Sequence, residues 1–236
     1  MDLPPPFRLL TLREVGDAFA HACAVASQEG AGTLVHVGRF DLAELAVVLE
    51  PDEPLALARR SFYAGMVALG DALVARAPPE RPIAFVWPDA IHVDGGLVGG
   101  ARLAWPSSAD EAEVPDWLVF SAMVRVVAMG EGEAGLHPLS TALEDEGFAD
   151  LDTGWLAEGF ARHLMATLDI WQSDGFEAVA QSYLQRLKPQ KGATYNIDAN
   201  ADLLVNWRGG HSERHSLAQA LGQASWLDPE SGGPRR

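Results

Sequence analysis

The sequence predicts an α+β fold, a mixed, mostly antiparallel central sheet packed with helices, followed by a small C-terminal module. Three observations carry this. Short β-type runs separated by turn residues recur between Thr33 and Val127. Longer stretches around Phe19, around Phe62 and Met66, and around Phe160 place apolar residues at three- and four-residue spacing. At Lys188-Pro189 helical periodicity gives way to short strand-like segments, which divides the chain into residues 1–187 and 188–236.

Taken in order, a Pro-rich lead-in (Pro4, Pro5, Pro6) precedes a helix expected over Arg13 to Glu29, with Phe19, Cys23 and Ala26 on one face and Gly30-Ala31-Gly32 as its stop. Thr33 to Val37 and Leu45 to Leu49 read as strands joined through Gly38-Arg39-Phe40-Asp41. After a turn at Pro51 to Pro54, Phe62, Met66, Leu69 and Leu73 mark an amphipathic helix ending before Pro78-Pro79. Ile83, Phe85 and Trp87 alternate, Ile91 and Val93 follow, and Asp94-Gly95-Gly96 has the composition of a hairpin turn. Leu97 to Trp105 returns as a strand, Ser107 to Asp116 is a polar link, and Trp117 to Val127 is another strand. Thr141 and Glu144 match a capping box. Leu156, Phe160 and Leu164 stripe one helix toward Trp171, and Phe176, Val179, Ala180, Tyr183, Leu184 and Leu187 stripe the next. In the module, Ile197 and Leu203 to Trp207 suggest strands and Ser216 to Ser225 a short helix. The closing SGGPRR reads as a frayed tail.

Composition narrows the function. With 33 Asp and Glu against 17 Lys and Arg, the net charge is −16, and a phosphate backbone would be repelled. No apolar run is long enough to cross a bilayer, and MDLPPPFRLL has no signal pattern, so a cytoplasmic protein with no nucleic-acid or membrane partner is expected. One cysteine excludes an internal disulfide. Lys188 and Lys191 are the only lysines, which leaves residues 1–187 with none.

Several motifs have ordinary explanations. Cys23, among apolar helical neighbours, reads as structural. His211 and His215 lack the Glu after the first His that a zinc-protease helix requires, and read as part of a solvated tail. Gly130 to Gly135 contains Glu131 and Glu133, which would repel a phosphate, so it reads as an acidic loop. Asp150 and Asp152 read as helix-capping charges. Gly99-Gly100 differs, because it lies inside a strand, where glycine signals either a bulge or the close approach of a ligand. Trp87 and Asp89 nearby offer an apolar wall and a hydrogen-bond acceptor.

The segment VWPDAIHVDGGLVGG, from Val86 to Gly100, resembles the signature of the biotin/lipoate protein ligase superfamily, especially the biotin protein ligase catalytic domain. That signature is a Lys-Trp-Pro-Asn-Asp strand end, a Gly turn and a Lys-hydrophobic-Ala-Gly return strand. The order of the surrounding elements fits as well. The resemblance implies the class II synthetase-like fold of those ligases. It also implies their chemistry: a carboxylic acid such as biotin or lipoate is joined to AMP using ATP and magnesium, then passed to a lysine of a carrier domain. The implied partners are therefore a small carboxylic acid or its acyl-adenylate and a lysine-bearing carrier domain, with ATP and magnesium as cofactors if ligase activity is retained. His36, Gly38, Arg39, Trp87, Asp89, Gly99, Gly100 and Arg102 are the expected ligand-binding residues. No catalytic residue and no metal site is assigned.

The departures are specific. Val86 and Leu97 stand where the family has lysines, Asp89 and Ala90 replace Asn-Asp, and the adenylate loop shrinks to Gly38-Arg39. Each charge-assisted bond to a developing anion that is missing costs about 3 kcal/mol of transition-state stabilisation. Two readings follow. One is a divergent ligase or acyltransferase that uses arginine for lysine. The other is a binding module, for a ligand or a partner, that kept the pocket without the chemistry.

Overall fold

The computed structural model describes residues 1–129, 139–149 and 152–236. Seven strands form the main sheet: β1 (Arg8–Leu12), β2 (Thr33–Val37), β3 (Leu42–Leu49), β4 (Ile83–Val86), β5 (Ala90–Val93), β6 (Gly96–Ala104) and β7 (Leu118–Arg125). Their order is β1-β2-β3-β7-β6-β5-β4. Only the β1–β2 pair is parallel. The expected mostly antiparallel α+β architecture is what forms.

Alternation of side chains sorts the sheet into two faces. On one, Leu34, Leu45, Val47, Ala101, Leu103, Phe120 and Val124 pack into the main core. Helices α3 (Ser61–Val74), α4 (Thr153–Asp174) and α5 (Phe176–Leu184) cover that face. A four-residue helix, α2 (Leu55–Ala58), leads into α3. On the opposite face, α1 (Ala18–Glu29) buries Ala18, Ala22 and Ala26 against Val35, Val37, Ala46, Val48 and Val119. At the outer edge, the main chain leaving α5 pairs with β4: Phe85 donates to the Arg186 carbonyl (2.7 Å) and Lys188 donates to the Phe85 carbonyl (2.8 Å).

The module holds a three-stranded antiparallel sheet, β8 (Ala193–Ile197), β9 (Leu203–Trp207) and β10 (Ser212–His215), then the one-turn helix α6 (Leu217–Ala220). It docks on the main core through Tyr63, whose hydroxyl donates to the Ala201 carbonyl at 2.8 Å.

Several expectations are corrected. The first helix begins at Ala18 rather than Arg13, because Asp17 caps it by accepting the Ala20 N–H at 2.8 Å. The lead-in runs instead into β1, which pairs with β2. Thr141 starts no helix; its hydroxyl donates to the Glu146 carboxylate (2.7 Å) within a turn. His211 and His215 flank and end a strand, with side chains set against Glu213. The closing segment is not frayed, since Trp226 and Pro234 are buried. Asp152 does cap α4, accepting the Gly154 N–H at 2.9 Å. The acidic loop Gly130 to Gly135 and Asp150 lie outside the described residues. Among the described residues, no helix is long and apolar enough to cross a membrane.

Candidate functional site

The α1 face of the sheet gathers part of the expected constellation. Cross-strand register places Glu44, Met123, Gly100 and Ala90 in one row and Ala46, Ser121 and Arg102 in the next. Gly100 and Arg102 share this face, two residues apart along β6 and therefore about 7 Å apart.

Besides Arg125, which β7 places on the same face two residues beyond Met123, the cation here is Arg102. Its guanidinium carbon lies 4.1 Å from the centroid of the Phe19 ring on α1. Its Nε is buried with no hydrogen-bond partner, and among the described residues no carboxylate comes within 4 Å. Burial pulls its pKa down, against the opposing fields of Asp17, Glu44 and Cys23. Glu44, also buried, has its carboxyl pushed up by desolvation and accepts the Ala18 N–H at 2.6 Å. Cys23 is half-buried, and desolvation raises its thiol to about 11, which keeps it protonated and unreactive, as its apolar neighbours suggested.

Both glycines of the Gly99-Gly100 pair are required by neighbours within the chain. A Cβ on Gly99 would overlap the Met123 carbonyl, and one on Gly100 would overlap the Asp89 carbonyl and the Trp226 indole. A bulge is present as well: Ile91 faces Gly99 while His92 faces Leu97, which leaves Val98 as the extra residue. Trp226 is 1% exposed and packs with Leu42, Ala90, Leu97 and Met123. Its Nε1 donates to the Ala101 carbonyl at 3.1 Å. Asp89, also 1% exposed, accepts from the Ser225 N–H (2.9 Å) and hydroxyl (2.5 Å). Burial pushes its carboxyl up, and the Ser225 bonds offset only part of this.

The other expected residues lie apart. Trp87 packs on the opposite side, donating from Nε1 to the Tyr63 hydroxyl at 3.2 Å. It lines a cleft of about 380 Å³ with Lys188, Tyr195, Glu213 and His215. His36 alternates with Val35 and Val37, so it points away from α1, and neither ring nitrogen has a partner among the described residues. Desolvation lowers its pKa, against the field of Asp152. Gly38 meets nothing closer than an ordinary contact, so its place carries no close approach. Arg39 is engaged in a bidentate pair with Asp41, at 2.8 and 2.7 Å, which holds the Asp41 carboxyl low.

Two residues escaped the sequence reading, Ser225 and Trp226. The only local signal was a tryptophan close to a Gly-rich stretch. Among the described residues, no group of three or more His, Cys, Asp or Glu side chains could hold a metal ion.

No curated protein sequence matches the chain. Among solved structures, a biotin protein ligase-like protein of unknown function from Silicibacter sp. TM1040 is 27% identical, with a TM-score of 0.80, covering 94% of this chain and 99% of its own. The biotin protein ligase from Aquifex aeolicus, in complex with biotin and ATP, is 12% identical with a TM-score of 0.63, covering 88% and 94%. The biotin protein ligase from Leishmania major, in complex with biotin, is 15% identical with a TM-score of 0.57, covering 90% and 99%. The last two likenesses speak to the fold. The sequence model of the biotin/lipoate A/B protein ligase family matches residues 3–185, the span of the main sheet and its helices. With that span matched and the Trp-Pro strand end and Gly-Gly return strand seated in the sheet, the chain belongs to the biotin/lipoate A/B protein ligase family.

Proposed function

We propose that this protein binds a small carboxylic acid of the biotin or lipoate type, or its acyl-adenylate, and acts as a divergent ligase or acyltransferase. The observation that supports it is Arg102. A part-buried guanidinium whose Nε is unpartnered is costly to keep, and an incoming carboxylate or phosphoryl oxygen would offset that cost with a charge-assisted bond. In this reading ATP supplies the activating AMP with magnesium, and a lysine of a carrier domain accepts the acyl group. The residues of this chain bind and orient the acid: Arg102 takes its anionic end, and Phe19 and Met123 wall its apolar part.

A second reading, a binding module without adenylation, is favoured by Arg39. That side chain would be the cation on the phosphates, yet Asp41 already neutralises it. With no lysine in residues 1–187, phosphate stabilisation rests on few groups. Adenylation is therefore expected to be weaker than in an ordinary ligase by about a hundredfold or more.

The test measures exchange of labelled pyrophosphate into ATP with biotin, lipoate and octanoate, alongside thermal shifts with the same acids. Slow exchange and a shift, both abolished in Arg102→Ala, support the ligase reading. A shift without exchange supports the binding module. Neither exchange nor shift with any acid overturns both.

A further inference from the structure

The α1 face of the sheet is filled here by the chain itself. Helix α1 covers one half, and the segment Ala224–Arg236 covers the other. That segment is a closed loop rather than a strand of the sheet. The Arg235 N–H donates to the Trp226 carbonyl (2.8 Å) and the Asp228 N–H to the Gly233 carbonyl (2.8 Å), which brings its two limbs together.

Its hold on the main domain is made by side chains at two points. At one end Asp89 receives both Ser225 donors, and the Trp226 indole lies over Gly100 with its Nε1 on Ala101. At the other end the Arg125 guanidinium donates to the carbonyls of Pro234 (2.5 Å) and Arg235 (3.2 Å), and the Arg236 guanidinium donates to the Met129 carbonyl. Between residues 222 and 236 only Trp226 and Pro234 are buried. No backbone ladder joins the loop to the main sheet among the described residues. An element held by one aromatic anchor and a few side-chain hydrogen bonds opens at far lower cost than the core that it covers.

We infer that Ala224–Arg236 is an autoinhibitory strap, in which Trp226 occupies the place of the ligand's apolar body and must leave before an acid can lie along Gly100. This rests on the proposed reading that the α1 face receives the acid. Arg102 lies about 7 Å from Gly100 along the strand. An extended eight-carbon acid is longer than that, so with its carboxylate on Arg102 and its chain lying along β6 it would collide with the indole. The strap and the ligand then compete for one surface, and displacing the strap lowers the apparent affinity by the fraction of molecules that are open.

The experiment compares the full chain with Trp226→Ala, Ser225→Ala and a chain ending at Gly222, using biotin, lipoate and octanoate as probes in calorimetric titrations. Hydrogen exchange of the full chain is followed with and without each acid. The strap predicts at least tenfold tighter binding of one or more acids to the Trp226→Ala and shortened chains, and a smaller gain for Ser225→Ala. It also predicts faster exchange at the amides of residues 225–235 when the acid binds the full chain, a measurement that needs no variant to fold. If the full chain binds an acid through Arg102 while those amides stay protected and no folded variant gains affinity, the strap is overturned and the functional reading stands. If the variants gain affinity but Arg102→Ala loses none, the strap stands and the role of Arg102 falls. If no form binds any acid, both are overturned.

Discussion

Asp89 and Ser225, 136 residues apart in the chain, are joined by two hydrogen bonds that use both carboxylate oxygens of Asp89. The carboxylate is nonetheless a poor tenant of its site, because burial raises its pKa. A carboxyl whose pKa is raised on folding contributes its stability below the unfolded value of about 3.9 and loses it as pH rises through the folded value. Asparagine can accept the Ser225 N–H and donate to its hydroxyl without bearing charge. Asp89→Asn should therefore melt higher than the natural chain at pH 7, with the gap closing toward pH 4. Thermal scans across that range check it, and a lower midpoint at pH 7 would refute it.

Gly100 has no room for even a methyl group. Gly100→Ala should cost about 1–3 kcal/mol through overpacking against Asp89 and Trp226. Gly209, where a Cβ meets nothing within 4 Å, is the control, and Gly209→Ala should stay within about 0.5 kcal/mol. Urea titrations of the two variants decide between a site-specific clash and a general intolerance of alanine.

If Arg102 takes the acid's anionic end as proposed, it trades stability for binding. Methionine retains much of its apolar stem and its packing on Phe19 while removing a charge whose Nε is unpartnered. Arg102→Met is expected to be as stable as the natural chain or about 1 kcal/mol more so, yet to lose any acid-induced thermal shift. A variant that keeps the shift would remove Arg102 from the binding site.

His36 sets a separate acid sensitivity. Its pKa is depressed by burial, so the fold keeps the ring neutral. A depressed histidine contributes stability that is present above the unfolded value of about 6.5 and lost as pH falls through the folded value. Between pH 7 and pH 5 the natural chain should lose stability that His36→Gln does not. Equal slopes in the two proteins would show that other groups govern the acid limb.

What the sequence disclosed was mostly local. The stripes of Phe62, Met66, Leu69 and Leu73 and of Phe176, Val179, Ala180 and Tyr183 appear as α3 and α5, and Asp94-Gly95 turns β5 into β6. β1 was hidden because its order depends on a parallel partner, β2, beyond an intervening helix. Of the expected ligand-binding residues, alternation along the strand was enough to put only Gly100 and Arg102 together, on one face of β6. His36 fell on the far face, and Trp87 turned toward the module. Trp226 was illegible for a different reason: its partners, Gly100 and Ala101, are about half a chain away, and nothing in its neighbours specifies them.

The pairing of the α5 exit with β4 has a consequence for self-association. An exposed sheet edge is a template on which a foreign strand can add. Here the Arg186 carbonyl and the Lys188 amide already engage the two main-chain groups of Phe85, so an incoming strand would first have to peel the end of α5 away. The opposite edge, β1, is only five residues long and is entered through Pro4-Pro5-Pro6, which lack the N–H groups that a lengthened ladder would need. Neither border of the sheet offers a long row of free donors, and fibril-like growth is discouraged at both.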